Sequence, residues 1–154
     1  MLKKLTMDQL VQDGKRVDFH VPIIWVTEEF LKEHEKDVWF IFGDNSCRTG
    51  KGGAAKLRDC PNAWGFITKR YPSYAETAYF NPDNYLLTFL EEQKRFIKFI
   101  EENQDRWILV TKLGSGLGNK FGIFDAMIGP WLETLEKYEN VILLYEKPEP
   151  PKPE

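Results

Sequence analysis

Cysteine and histidine are scarce in this chain. Its two cysteines, Cys47 and Cys60, form neither a C-x-x-C pair nor any zinc-ligand spacing. No disulfide framework or metal site is implied, and isolated thiols suit a reducing compartment. The two histidines, His20 and His34, lie apart from every other candidate group and read as structural or surface residues. They leave no Ser/His/Asp arrangement. An excess of positive charge is missing as well. Lys and Arg number 21 against 24 Asp and Glu, for a net charge of −3 and a pI near 5.5. Bulk nucleic-acid binding, which wants a basic face, is therefore not expected, whereas a small anion held by a local site is compatible. No apolar run approaches the roughly 20 residues that span a bilayer. The opening Met1-Leu2-Lys3-Lys4-Leu5 lacks the apolar stretch of a secretory signal. The expectation is a cytoplasmic protein without membrane association.

What the chain does hold is an ordinary globular balance, 42% hydrophobic and 29% charged, with aromatics raised to 14%. Its 154 residues fit one domain with a sizeable core, here expected over 1–147. The Pro- and charge-rich tail, 148–154, is expected to be disordered. After a short amphipathic lead over 1–15, residues 16–26 read as a strand rich in β-branched and aromatic residues. Thr27 reads as an N-cap, with Glu28 and Glu29 in the first turn of a helix reaching about Lys36. Val38–Phe42 is a continuous apolar run, the pattern of a strand buried on both faces. Residues 54–59 suggest a short helix, 64–67 another strand, and 83–103 the clearest helix. There Leu86, Leu87, Leu90, Phe96, Ile97 and Ile100 recur at helical spacing. Strands at 107–110 and 141–145 flank a helix from about Ile123, broken near Gly129-Pro130.

Alternating strands and helices imply a mostly parallel sheet with helices on both faces. Ligands of such sheets bind beyond the carboxyl ends of the strands. Two glycine-rich loops lie directly after buried strands and should open onto that edge. In the first, from Gly43 to Ala55, Gly50, Gly52 and Gly53 allow close backbone approach. The helix after them offers N–H groups to an anion, and Arg48 and Lys51 add charge. Neither G-x-x-x-x-G-K-S/T nor G-x-G-x-x-G is present, and a flexible surface turn is the competing reading. At the strand end, Asn45 can hydrogen-bond a ribose hydroxyl and Asp44 can accept a proton, or both can simply cap the turn. The second loop is Gly114-Ser115-Gly116-Leu117-Gly118-Asn119-Lys120. It can form a nest of N–H groups around a phosphate. Phe121 and Phe124 beyond it can border a sugar or base, or pack in the core. Thr68-Lys69-Arg70 ends another strand, its cations either facing a phosphate or solvated.

The order strand, Asp44-Asn45, glycine-rich loop, helix, strand, Gly114-Ser115-Gly116-Leu117-Gly118, helix, strand resembles a macrodomain, over roughly residues 16–145. Phe66-Ile67-Thr68-Lys69, the long helix and Gly114-Ser115-Gly116-Leu117 are most similar to the branch containing the terminal ADP-ribose glycohydrolase. Phe42-Gly43-Asp44-Asn45 with Gly52-Gly53-Ala54-Ala55 is similar to a signature of small phage and bacterial proteins. The resemblance implies a three-layer α/β/α fold with a mixed sheet. It also implies a site for ADP-ribose or an ADP-ribosylated macromolecule, without a further cofactor. Asn45 would then meet the distal ribose, Gly50, Lys51, Gly52, Gly53 and Ala54 would wrap ribose and phosphate, and Gly114, Ser115, Gly116, Leu117, Gly118 and Asn119 would cradle the diphosphate. Phe121 or Phe124 would border the ligand. The branch carries Asp where this chain has Gly118, and its lysine before the strand at 64–67 has no clear match. The Gly-Asp that holds adenine in many macrodomains is replaced by Trp25-Val26-Thr27-Glu28. Two versions of the function follow: an ADP-ribosyl hydrolase with Asp44 as the catalytic group, or a non-catalytic nucleotide binder. A phosphoryl enzyme on another α/β fold ranks lower, because only Asp44 is placed to hold a metal. A protein-interaction module using Tyr71, Tyr74, Tyr79 and Phe80 is the remaining alternative, and the same aromatics can equally form a lid over the crevice.

Overall fold

The computed structural model describes the backbone of residues 15–19 and 21–145, and the side chains of residues 26–145 apart from that of Leu117. The lead before residue 15, His20 and the tail lie outside the described residues. The single strand expected over 16–26 is instead an antiparallel hairpin, β1 (Lys15–Phe19) and β2 (Val21–Trp25).

Thr27 caps α1 (Glu28–Glu33) as expected, its hydroxyl accepting from the Phe30 amide at 3.1 Å. Three further strands and the long helix follow: β3 (Val38–Asn45), β4 (Ala63–Lys69), α2 (Pro82–Glu102) and β5 (Trp107–Val110). A π-turn (Phe124–Ile128) runs directly into α3 (Gly129–Thr134), and β6 (Val141–Leu143) closes the sheet. Pro130 sits in the first turn of α3. Its ring crowds the preceding turn and it has no N–H, which accounts for the widened turn where a break is expected.

The sheet order is β4-β3-β5-β6, and all three pairings are parallel. The mixed sheet implied by the resemblance is thus not observed among the described residues. Their antiparallel pairings are the separate hairpin and one bridge between Lys69 and Tyr79. The protein is an α/β fold with a four-stranded parallel sheet.

Strand alternation sends side chains to two clusters. Val38, Phe40, Phe42, Trp107 and Leu109 join Phe30 and Leu31 of α1. Ile41, Phe66, Ile108 and Val110 join α2 and α3. A parallel strand apolar on both faces needs cover on both.

The face that α2 buries is not the one its leucines suggest. Tyr85, Phe89, Glu92, Phe96 and Ile100 are buried, at spacings of three and four, whereas Leu86, Leu87 and Leu90 are exposed. Aromatic contact with β4 and α3 selects the face. Phe66 lies 5.9 Å from Phe96 and 5.5 Å from Trp131, centroid to centroid, within the range of favourable ring pairs. Asn81 begins the helix with a reciprocal capping box to Asn84.

The same face of α2 covers the outer edge of β4. The Ile67 amide donates to Glu92 at 2.7 Å, Arg95 donates to the Gly65 carbonyl at 2.5 Å, and the Tyr85 hydroxyl donates to the Ile67 carbonyl. Side chains thus occupy an edge that would otherwise template another strand.

Candidate anion-binding crevice

From β3 the chain crosses to β4 on one side and then returns to β5 on the other. The loops after β3 and β5 therefore diverge, and a crevice opens between them at the carboxyl end of the sheet, where open α/β sheets hold ligands. The cavity there measures about 560 Å³ and is lined by both glycine-rich loops.

Thr68, at the end of β4, is the hub. Its hydroxyl lies 3.4 Å from the Asp44 carbonyl. A side chain at Gly118 would come within 3.2 Å of the Thr68 carbonyl. The missing Cβ thus brings the second loop down onto the strand end, at the position where the resembled branch carries Asp.

The first loop is held by charge. Asp44 is buried, and its carboxylate receives Arg58 at 2.6 Å, its neighbour's amide at 2.8 Å and Arg48 at 3.1 Å. Arg48, at φ 56°, also donates to the Gly65 carbonyl at 3.0 Å. Gly65 is needed for this approach, since a Cβ there would lie 2.9 Å from the Asp44 Cβ. The Asn45 amide is equally occupied, donating to the Thr49 carbonyl at 2.6 Å and accepting from the Cys47 amide at 3.0 Å.

Asp44, Asn45, Gly50, Lys51, Gly52, Gly53, Ala54, Gly114, Ser115, Gly116 and Gly118 all line the crevice. Asn119 and Phe121 are not among the lining residues. Asn119 instead accepts from the Phe124 amide at 3.0 Å, capping the π-turn. Phe121 is partly exposed, edge-on to Tyr79 at 6.3 Å. Leu117 has no described side chain. The Ser115 hydroxyl turns back to the Lys112 carbonyl at 2.6 Å. The helix expected to present N–H groups after the first loop is a five-residue 3-10 turn, Gly53–Leu57. The loop's own amides, rather than a helix dipole, are what the crevice offers an anion.

Residues outside the sequence expectation join the lining: Lys56, Arg58, Thr111 and Lys112, together with Lys69, which the strand-end reading left open, and Tyr74, expected either on a partner surface or in a lid over the crevice. Lys69 is the last residue of β4, and Lys112 lies two residues past the end of β5, where the same strand-end rule would have found it. Burial pushes the Lys69 ammonium below the usual lysine range. Its Nζ lies 4.6 Å from the Tyr79 ring centroid. Lys51 bonds to Asp59 at 2.5 Å, a hydrogen bond that raises the lysine pKa and lowers that of the carboxyl. Lys51, Lys56, Arg58, Lys69 and Lys112 thus face a crevice whose one lining carboxylate among the described residues, Asp44, already holds two guanidinium groups. Among the described residues no cluster of His, Cys, Asp or Glu fits a metal ion.

The model of a family of unknown function, DUF7831, matches residues 23–123. The chain belongs to that family. The DUF7831 segment carries β3, β4, α2, β5 and both crevice loops, while α3 and β6 lie beyond it. No curated protein and no solved structure matches the chain.

Proposed function

We propose that the crevice binds ADP-ribose or a related nucleotide, with the α/β fold arranged as the three layers of a macrodomain. The observation that carries this reading is the charge of the crevice. In a chain of net charge −3, five cationic side chains and two glycine-rich loops converge at the topological switch point. That combination selects a ligand with concentrated negative charge. The volume of about 560 Å³ lies in the range of small-molecule and cofactor sites. The macrodomain likeness of Asp44-Asn45, the glycine loop and Gly114-Ser115-Gly116-Leu117 supplies the diphosphate and ribose of the proposed ligand.

Of the two versions, binding is favoured over hydrolysis. Both oxygens of Asp44 hold arginine side chains, so activating a water there requires displacing one of them. No membrane partner is part of the proposal, and among the described residues no helix is long and apolar enough to cross a bilayer. Calorimetric titration with ADP-ribose, NAD and AMP tests the reading. Selective ADP-ribose binding, weakened about tenfold in Lys69→Ala by loss of one charged contact, is the expected result. Absence of binding by all three ligands sinks it.

A further inference from the structure

Arg58 lies eight residues beyond Gly50, whose carbonyl it holds, and belongs to neither glycine-rich motif. It follows the 3-10 turn, and its side chain is 16% exposed. One nitrogen, Nη2, donates to Asp44 at 2.6 Å and to the Thr49 carbonyl at 3.1 Å. Another, Nε, donates to the Gly50 carbonyl at 2.9 Å. The guanidinium lies 5.2 Å from the Phe42 ring centroid, which limits its swing. Asn45 holds the Thr49 carbonyl from a second direction.

Two consecutive carbonyls are thereby fixed toward one guanidinium. In a trans peptide the N–H points opposite to the C=O. Pinning the Thr49 and Gly50 carbonyls therefore turns the amides of Gly50 and Lys51 to the other side of the loop. Among the described residues neither amide has a hydrogen-bond partner. The φ of +92° at Gly50 is the left-handed conformation that lets successive amides converge.

We infer that Arg58, anchored on Asp44, is a positioning residue that turns the Gly50 and Lys51 amides outward as an oxyanion subsite for the ligand's phosphate. Resting on the proposed nucleotide function, this assigns Asp44 a supporting role through Arg58 instead of a proton-transfer role. The fork geometry of arginine is essential. Lysine in its place can keep the ion pair with Asp44 but cannot hold both carbonyls from fixed positions.

The test follows the Gly50 and Lys51 amides by NMR while the full chain is titrated with ADP-ribose and, separately, with inorganic pyrophosphate. Arg58→Lys and Arg58→Met are compared with the parent for affinity and Tm. Both amides are expected to shift on binding in the parent. In Arg58→Lys, affinity should fall about tenfold, the worth of one well-placed hydrogen bond to a charged group, with a Tm close to that of the parent. If the parent binds ADP-ribose but the amides stay put, or Arg58→Lys binds as the parent does, the positioning role is overturned and the nucleotide reading survives. Shifts with pyrophosphate but no response to ADP-ribose would uphold the subsite and overturn the nucleotide reading. No binding of either ligand overturns both.

Discussion

Asp44 sits at the end of β3 with its carboxylate enclosed by Arg48 and Arg58. Asp44→Asn keeps the shape and removes the charge, taking the carboxylate from Arg58 and leaving Arg48 with Glu92 at 4.0 Å. Breaking such a buried pair costs about 3 kcal/mol, a loss that urea denaturation should read directly. Gly65→Ala should act on the same cluster, because the new methyl would press on the Asp44 side chain. Tyr85 offers a pH test. Its fully buried hydroxyl donates to the Ile67 carbonyl, and burial raises its pKa well above the usual tyrosine range. The folded pKa exceeds the unfolded one, so this contribution is complete below about pH 10 and is lost as pH rises toward the folded value. Alkaline unfolding followed by circular dichroism should therefore steepen above about pH 10, and Tyr85→Phe should flatten that slope.

At the scale of elements, α2 is both a wall of the core and the cover of an edge strand. Leu87, 77% exposed, should tolerate Lys with a change within about 0.5 kcal/mol. Phe96, fully buried against Phe66 and Trp131, should cost about 3–5 kcal/mol as Ala. Chemical denaturation of the two variants checks the contrast, and equal losses would refute the observed helix face. The sequence shows that this helix exists over about 83–103, because its apolar residues recur at helical spacing; the Asn81 cap ahead of Pro82 was supplied by the structure. The sequence does not show which stripe is buried, because leucines and aromatics recur at similar spacing and only β4 and Trp131 select between them. The hairpin in place of one N-terminal strand and the 3-10 turn in place of a helix after the first loop are likewise outcomes of pairing and packing beyond a local window.

At the scale of the whole molecule, the crevice reverses the sign of the chain. Attraction between a cationic crevice and an anionic ligand weakens as the screening length shrinks from about 10 Å at 0.1 M salt to about 3 Å at 1 M. Affinity for ADP-ribose should accordingly fall as salt rises across that range. Titrations at increasing ionic strength check this, and a flat response would argue that apolar contact dominates. Lys69 adds a pH dependence. Since burial lowers its pKa, its charge disappears at a lower pH than that of a solvated lysine. As pH rises, ligand affinity should therefore begin to fall before about pH 10.4, the value for a solvated lysine, and Lys69→Ala should remove that early phase.

The sequence by itself determined the strand–helix alternation, the buried strands and the position of both glycine-rich loops, because hydrophobic period, caps and glycines act within a few residues. From it the parallel sheet and the crevice at its carboxyl edge followed by general rules. Only the tertiary structure decided the employment of the polar groups. Asn119 caps a turn, Phe121 packs beside Tyr79, and Arg58 reaches across to Asp44, Thr49 and Gly50. A side chain's partner depends on which elements meet in space, and buried hydrogen-bonding groups take the partners that folding brings within reach.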